Sequence, residues 1–191
     1  ASPRRALLMR EAGIRFDVIP ARVEEHEDLK AHGPAGFVLD NARLKGRWVA
    51  DRHADRPVLA ADTTVALDDR ILNKPADLEE AKAMLRSLAG RAHTVYTGVL
   101  LTWLGGGREE EAVVSSRVVF RALSASDIDR YVSIVNPLDK AGGYGIQEGT
   151  DIIIDHFEGS FSNIMGLPME RVLDMLQNLQ FLDLFRDGKV R

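Results

Sequence analysis

The strongest constraint on the fold is a pair of long apolar segments with three consecutive glycines between them. Residues 93–104 and residues 112–123 are both rich in β-branched and apolar side chains. Gly105-Gly106-Gly107 separates them, and glycine-rich turns of this kind join antiparallel strands. The sequence therefore predicts a long β-hairpin in this half of the chain.

Helical and strand patterns alternate along the rest of the chain. Helix starts are indicated at Ser2-Pro3, at Asp77 with Glu80 as its capping-box partner, and at Ser124. Further elements are predicted as helices from about Pro34 to Ala54 and from Pro168 onward, and as strands at residues 15–19, 58–67, 71–72 and 152–154. Because hairpins and helical crossovers both occur, we expect an α/β protein with a mixed sheet.

The composition excludes several classes of protein. With 45% hydrophobic and 28% charged residues the chain is typical of a globular protein, and no segment approaches the roughly 20 apolar residues that span a bilayer. The 25 basic and 29 acidic residues give a formal charge of −4, which argues against a broad nucleic-acid-binding surface. Cysteine is absent, so thiolate nucleophiles, thiolate metal sites and disulfides are excluded. A cytoplasmic enzyme or binding protein is the interpretation that remains.

An aspartate stands inside the most apolar of the predicted strands. Asp62 lies in the run Leu59-Ala60-Ala61-Asp62-Thr63-Thr64-Val65. A carboxylate in such a strand costs free energy unless it is ion-paired, hydrogen-bonded or bound to a metal. Two interpretations stay open, a functional carboxylate and a residue that caps a neighbouring turn.

Basic residues occur at three places where a phosphate could bind. Arg4 and Arg5 lie in the first turn of a helix, where cations oppose the helix dipole and an anion is favoured. Lys74 follows a predicted hairpin, and Lys140 precedes the glycine-rich stretch 141–147, which allows close backbone approach to a ligand. Solvated surface cations and an ordinary turn would account for the same pattern. Together, these groups suit a phosphorylated substrate with a hard divalent cation.

Taken in order along the chain, short motifs resemble those of the Maf-like nucleoside triphosphate pyrophosphatases, in particular the bacterial subgroup that acts on dTTP and UTP. The resemblance covers nearly the whole chain. The residues that carry it are Ser2-Pro3-Arg4-Arg5, Val23-Glu24-Glu25, residues 42–45, Ala61-Asp62-Thr63, Lys74-Pro75, residues 88–98, residues 137–147 and Gly166-Leu167-Pro168.

This resemblance implies a single domain over residues 1–191. In that domain a mixed twisted sheet would be flanked by helices, with two lobes around a central cleft, as in inosine triphosphatase-like folds. The implied reaction is hydrolysis of a nucleoside triphosphate to the monophosphate and pyrophosphate, with Mg²⁺ or Mn²⁺ as the cofactor. The resemblance also implies a homodimer as a candidate assembly, and it implies neither a membrane nor a nucleic acid as a partner.

The family's catalytic positions can be carried over residue by residue. Asp62 matches the proposed proton acceptor for the attacking water. Glu25, Lys45 and Lys74 match the other charged residues that the family needs for activity. Glu25 and Asp62 are also the metal ligands that we expect.

Five further positions are expected to bind the substrate. Arg4, Thr63 and Gln147 match the positions that set nucleobase choice in the family, and their combination is the one found in the dTTP/UTP subgroup. Arg5 and Lys140 are expected to hold the triphosphate, because its negative charge requires convergent cations. The resemblance therefore implies pyrimidine nucleotides as substrates.

The chain departs from the family pattern at two positions. Asn136 stands where the family commonly has glutamate, and Glu148 follows Gln147 where the family usually has glycine. The sequence begins at Ala1 without methionine, and we expect that the family's first strand, which ends just before Ser2, is missing from it. Two alternatives stay open: the same reaction on 7-methyl-GTP or CTP, and a nucleotide- or nucleic-acid-binding regulator of cell division.

Overall fold

Helices and strands alternate along the chain in the computed structural model, which describes residues 2–26, 33–68 and 70–181. The helices are α1 (Pro3–Glu11), α2 (Gly33–Ala50), α3 (Leu78–Leu88), α4 (Ala125–Ile134), α5 (Thr150–Ile153), α6 (Phe161–Ile164) and α7 (Met169–Asn178). The strands are β1 (Val58–Leu67), β2 (Arg70–Leu72), β3 (Ala92–Trp103), β4 (Arg108–Phe120) and β5 (Ile154–Glu158). Short 3₁₀ turns lie at Leu104–Gly106 and Ala141–Gly143.

The predicted hairpin is confirmed as the pair β3 and β4. The two strands pair antiparallel from Ala92 opposite Val119 to Trp103 opposite Arg108. The glycine turn between them contains one left-handed residue, Gly107, with φ +60°. Glycine adopts this conformation without the steric cost that a side chain would add.

The strands form one sheet in the order β2-β1-β3-β4-β5, and every neighbouring pair is antiparallel. The α/β class with helices flanking the sheet is confirmed, but the expected mixed sheet is wrong for the described strands. Helix α3 does connect two strands of the same direction, β2 and β3. Because β1 lies between them and pairs with both, this crossover produces no parallel pair. The two-lobed arrangement and the single domain over residues 1–191 stay predictions.

Two of the shorter predicted strands are wrong. Residues 15–19 have no regular secondary structure, although Phe16 and Ile19 pack against separate apolar clusters. Ile152 and Ile153 belong to α5, and only Ile154 begins a strand, opposite Phe120. Ile153 and Ile154 are buried and Ile152 is partly buried, but a short apolar run does not distinguish a strand from a helical turn.

The sheet is covered on both faces. Helix α2 packs on the face to which Asp62 and Gly98 point. Successive strand residues point to opposite faces, so Val65 and Val99 point away from α2. They belong to the main apolar cluster, which includes these buried residues of α3, α4 and α7: Leu85, Leu88, Ile128, Tyr131, Val172, Met175 and Leu176. No described helix has the length and apolar character needed to cross a membrane.

Candidate active site

Three of the expected catalytic residues form a chain of ion pairs between α2 and β1. The Lys45 ammonium lies between two carboxylates, with Nζ 2.7 Å from Oδ1 of Asp62 and 2.6 Å from Oε2 of Glu25. Asp62 is 9% exposed, whereas the Glu25 side chain is 50% exposed. The pairing with Lys45 compensates the cost of placing the Asp62 carboxylate in an apolar strand. We call Glu25, Lys45 and Asp62 the acidic triad.

Close packing of α2 on the sheet brings Lys45 of α2 within bonding distance of Asp62 on β1. Asp62 lies opposite Gly98 in the register of β1 and β3. A Cβ atom at position 98 would lie 2.5 Å from the carbonyl carbon and oxygen of Val38, so only glycine permits the helix to approach this closely. Lys45 projects from α2 directly at Asp62 as a result.

Asn41 lies one helical turn before Lys45 and hydrogen-bonds Asp62 of the acidic triad. The sequence pattern alone did not identify this residue. Its side chain is 1% exposed, and its Nδ2 donates to Oδ2 of Asp62 at 3.4 Å. It also pairs with the backbone of His26. An amide among the buried positions of a helix, next to Val38 and Ala42, requires a hydrogen-bond partner, and this was the signal in the sequence that could have identified it.

Arg5 is held by the protein at the edge of β1. Its guanidinium donates to the carbonyl oxygens of Gly166 at 2.7 Å and Ala61 at 2.8 Å, and to Oγ1 of Thr63 at 2.9 Å. Burial lowers the pKa of Arg5, while the negative charge of Asp62 acts in the opposite direction. Arginine stays protonated in proteins, so Arg5 adds a fixed positive charge beside the acidic triad.

Thr63 lies with Arg5 rather than with Asp62. Consecutive strand residues point to opposite faces of a sheet, so the Thr63 hydroxyl points away from α2. Its Oγ1 is 2.9 Å from Oγ1 of Thr97 and 3.2 Å from the carbonyl oxygen of Gly166. The hydrogen bonds of Thr63 and Arg5 therefore go to protein groups in this structure.

A second group of expected residues lines a cleft of about 190 Å³ at the start of α1. The lining residues are Pro3, Arg4, Asp139, Lys140, Gly145, Gln147 and Glu148. Arg4 pairs with Asp139 at 3.0 Å, and the buried Lys140 donates to the Asn136 carbonyl oxygen at 2.7 Å and to Asp139 at 2.8 Å. Although burial acts in the other direction, Lys140 and Arg4 hold the pKa of Asp139 below its ordinary value. We call this region the charge-balanced cleft, because two cations face two carboxylates.

Lys74 is exposed and is not bonded to either group. It follows β2, and the carbonyl oxygen of the preceding Asn73 accepts a hydrogen bond from the Gly142 amide at 3.1 Å. Lys74 therefore lies beside the 3₁₀ turn that follows Lys140. Within the described residues, the Lys74 ammonium makes neither a hydrogen bond nor an ion pair.

Arg5 connects the two groups electrostatically. Arg4 of the cleft directly precedes Arg5 in the chain, and the Arg5 guanidinium donates to the carbonyl oxygen of Ala61, the residue before Asp62, so the charges of Asp62, Arg4 and Glu25 all act on its pKa. The structure therefore brings together Glu25, Lys45 and Asp62 by direct contact, Arg5 with Thr63, and Arg4 with Lys140 and Gln147 around the cleft. Lys74 makes no hydrogen bond or ion pair with any of them.

The carboxylates of the acidic triad fit a divalent cation only with additional ligands. Among residues 2–26, 33–68 and 70–181, no group of three or more His, Asp or Glu side chains is arranged to hold a metal. Glu25 and Asp62 supply oxygen ligands, but Lys45 lies between them. Mg²⁺ commonly binds through one or two carboxylates together with substrate phosphates and water. The residues present fit such a shared site.

The chain is similar to known proteins over most of its length. The family model described as Maf-like protein matches residues 1–179. The dTTP/UTP pyrophosphatase of Myxococcus xanthus is 46% identical over 179 residues, which cover 93% of this chain and 88% of the relative. Proteins of the same name from Salinibacter ruber and Deinococcus radiodurans are 45% and 42% identical, covering 96% and 92% of this chain and 89% and 88% of the relatives.

Proposed function

Because this chain belongs to the Maf-like protein family, we propose that it hydrolyses dTTP and UTP to the nucleoside monophosphate and pyrophosphate. The observation that carries the proposal is the acidic triad, in which a nearly buried carboxylate on a rigid strand is held by a lysine beside a fixed arginine. The similar proteins named dTTP/UTP pyrophosphatase support the choice of substrates.

Asp62 is the proposed general base. Its Oδ1 is occupied by Lys45 at 2.7 Å, while the contact of Oδ2 with Asn41 is longer, at 3.4 Å. Oδ2 therefore has the lone pairs to accept a proton from water. The water oxygen attacks the α-phosphorus, the bond from that phosphorus to the α,β-bridging oxygen breaks, and pyrophosphate leaves. The proton from the water goes to Asp62. One P–O bond forms as another breaks, so no covalent intermediate with the enzyme is needed.

The triphosphate requires cations that the protein has not already neutralised. Lys74 is exposed and unpaired within the described part of the chain, so it is the side chain best able to bind a phosphate oxygen. Arg5 contributes a fixed positive charge, although its donors already contact protein groups. A Mg²⁺ or Mn²⁺ ion held by Glu25, Asp62 and phosphate oxygens would supply further neutralisation of the leaving pyrophosphate.

The charge-balanced cleft suits the neutral part of the nucleotide. A region in which Arg4 and Lys140 already pair with carboxylates does not attract a polyanion, whereas it can receive a heterocyclic base. Gln147 lines this cleft and offers one donor and one acceptor group to a pyrimidine edge. In this proposal Arg4 and Gln147 contact the base, and Thr63 acts by holding Arg5. We place the activity in the cytoplasm, where nucleoside triphosphates are available.

A panel of triphosphates tests the proposal. The purified chain is incubated with dTTP, UTP, CTP, GTP and 7-methyl-GTP, with Mg²⁺ or with EDTA, and both pyrophosphate and inorganic phosphate are measured. We expect release of pyrophosphate, fastest with dTTP and UTP and dependent on Mg²⁺. Release of inorganic phosphate, or a preference for 7-methyl-GTP, would contradict the proposed reaction or substrate. Salt-sensitive binding to nucleic acid without turnover would favour the regulator instead.

A further inference from the structure

The segment that carries Glu25 has little structure of its own. Residues 15–26 form neither helix nor strand. Their backbone makes no hydrogen bond to the backbone of any other described residue. The ion pair of Glu25 with Lys45 involves a half-exposed carboxylate, and exposed ion pairs stabilise a geometry by about 1 kcal/mol or less. Ile19 and Ala21 of the segment pack against an apolar cluster, but Glu25 lies four residues further on, so another contact is needed to fix it beside Lys45.

The side chain of Asn41 does so through the neighbouring residue, His26. Oδ1 of Asn41 accepts a hydrogen bond from the His26 amide at 2.8 Å, and its Nδ2 donates to the His26 carbonyl oxygen at 3.1 Å. The amide group thus pairs with both backbone groups of His26, as a neighbouring strand would. Asn41 is 1% exposed, and the two hydrogen bonds that it makes to the exposed His26 are partly buried, which reduces competition from water.

We propose that Asn41 is a positioning residue that fixes the Glu25 segment on α2 and thereby completes the acidic triad. Its position one turn from Lys45 places both side chains on the same face of the helix. Holding both backbone groups of His26 restricts the adjacent Glu25, whose carboxylate then meets Lys45 at 2.6 Å. The effect on rate that follows rests on the proposed function, whereas the effect on the segment does not.

Loss of Asn41 should release Glu25 and leave Asp62 in place. Asp62 belongs to β1, which pairs with β3 from Val58 to Ala66, so its position does not depend on Asn41. Asn41→Leu conserves size and removes all three hydrogen bonds. If that variant does not fold, Asn41→Ser serves as a smaller replacement that cannot span the same contacts.

Two measurements test the proposal together. Amide hydrogen exchange at His26 reports the tether directly, and we expect it to accelerate by about tenfold or more in Asn41→Leu. Steady-state kinetics with dTTP report the consequence: kcat should fall by about 10- to 100-fold, while KM changes by less than about threefold. In a Glu25→Gln background, the same substitution should lower kcat by less than about threefold, because Asn41 acts mainly through Glu25 and its direct contact with Asp62 is long, at 3.4 Å.

Asn163→Leu is the matched control. Asn163 is also buried, with Nδ2 donating to Val95 and Ser116, so its loss should lower the melting temperature. It should leave exchange at His26 unchanged, and its effect on kcat should be equal in the presence and absence of Glu25. Unchanged exchange at His26 in Asn41→Leu, or an equal loss of kcat in both backgrounds, would overturn the proposal. If the unsubstituted chain shows no turnover, the proposed function fails, and the exchange measurement still decides whether the tether exists.

Discussion

The acidic triad and the charge-balanced cleft are built in opposite ways. The acidic triad has two carboxylates and one ammonium, and two of its members project from α2 and β1. The cleft draws its residues from the start of α1 and the loop that follows α4, and its two cations face two carboxylates. In the proposed function, the groups that carry out the chemistry lie largely on regular elements, whereas the surface that would recognise the base lies on loops.

The two lysines that were expected to bind phosphate, Lys74 and Lys140, differ in burial and in the partners of their ammonium groups. Lys140 is buried, and three protein oxygens surround its ammonium, including Oε2 of Glu148 at 3.5 Å. Lys74 is exposed and has no partner among the residues that the structure describes. A buried, saturated lysine stabilises the loop around it, whereas an exposed one remains available to a ligand.

The largest expected effect is on kcat, when an aspartate of the acidic triad is substituted and compared with the same substitution in the cleft. Asp62→Asn should lower kcat for dTTP by about 10³-fold or more, because the amide cannot accept the proton of the attacking water. Asp139→Asn, the matched change in the cleft, should cost less than about tenfold. Both are measured by pyrophosphate release, with circular dichroism to confirm folding. More than about a tenth of the original rate in Asp62→Asn would remove Asp62 from its proposed role.

A methyl group at Gly98 should damage the acidic triad by moving α2. Its carbon would meet the backbone of Val38 at 2.5 Å, so we expect a loss of about 1–3 kcal/mol in unfolding free energy and about a 10- to 100-fold fall in kcat. Gly46→Ala is the control, since its methyl group would meet side chains instead of backbone, at 2.6 Å from Leu100 and 3.1 Å from the Cβ of Ala60. Chemical denaturation and kinetics of both variants measure the difference. Equal effects at the two glycines would show that close packing beside Asp62 is not special.

Substitution of the two lysines should affect different quantities. Lys140→Met should lower the unfolding free energy by about 1–3 kcal/mol, because Asp139 and Glu148 lose their shared cation. Lys74→Met should leave stability within about 0.5 kcal/mol and raise KM for dTTP by about tenfold. Thermal unfolding and steady-state kinetics separate these outcomes. A Lys74 variant with unchanged KM would exclude this lysine from phosphate binding.

The smallest expected effect concerns base choice in the charge-balanced cleft. Gln147→Ala should lower kcat/KM for dTTP by less than about tenfold while reducing the preference for dTTP over CTP more strongly. Asn178→Ala serves as a control on an exposed asparagine that hydrogen-bonds Glu110 at 3.3 Å. Competition between labelled dTTP and CTP measures the preference. An unchanged ratio in the Gln147 variant would place recognition of the base elsewhere.

Local signals predicted the fold well where they were strong. The long hairpin, the helix from about Pro34 and the strand 58–67 are confirmed, because each has a long apolar pattern. The antiparallel sheet could not be predicted, since the position of β1 between β2 and β3 is a long-range property. The strand predicted at residues 15–19 is wrong because a short apolar run does not determine whether the segment finds a pairing partner elsewhere in the chain.

The candidate site shows the same limit. Asp62 was noticed because a carboxylate in an apolar strand requires a partner, but its partners come from elsewhere in the chain. Lys45 and Glu25 followed from the family resemblance and not from any local signal. Gly98 was included only as the end of the motif 88–98, and Asn41 was not singled out, because their roles depend on contacts with Val38 and His26 elsewhere in the chain.

Hydrolysis of dTTP in ¹⁸O-enriched water tests most directly the claim that Asp62 directs water to the α-phosphorus. The products are separated and analysed by mass spectrometry, and the Asp62→Asn variant is treated in the same way. We expect the heavy oxygen in the nucleoside monophosphate, with unlabelled pyrophosphate and almost no product from the variant. Heavy oxygen in pyrophosphate or in inorganic phosphate would contradict the account.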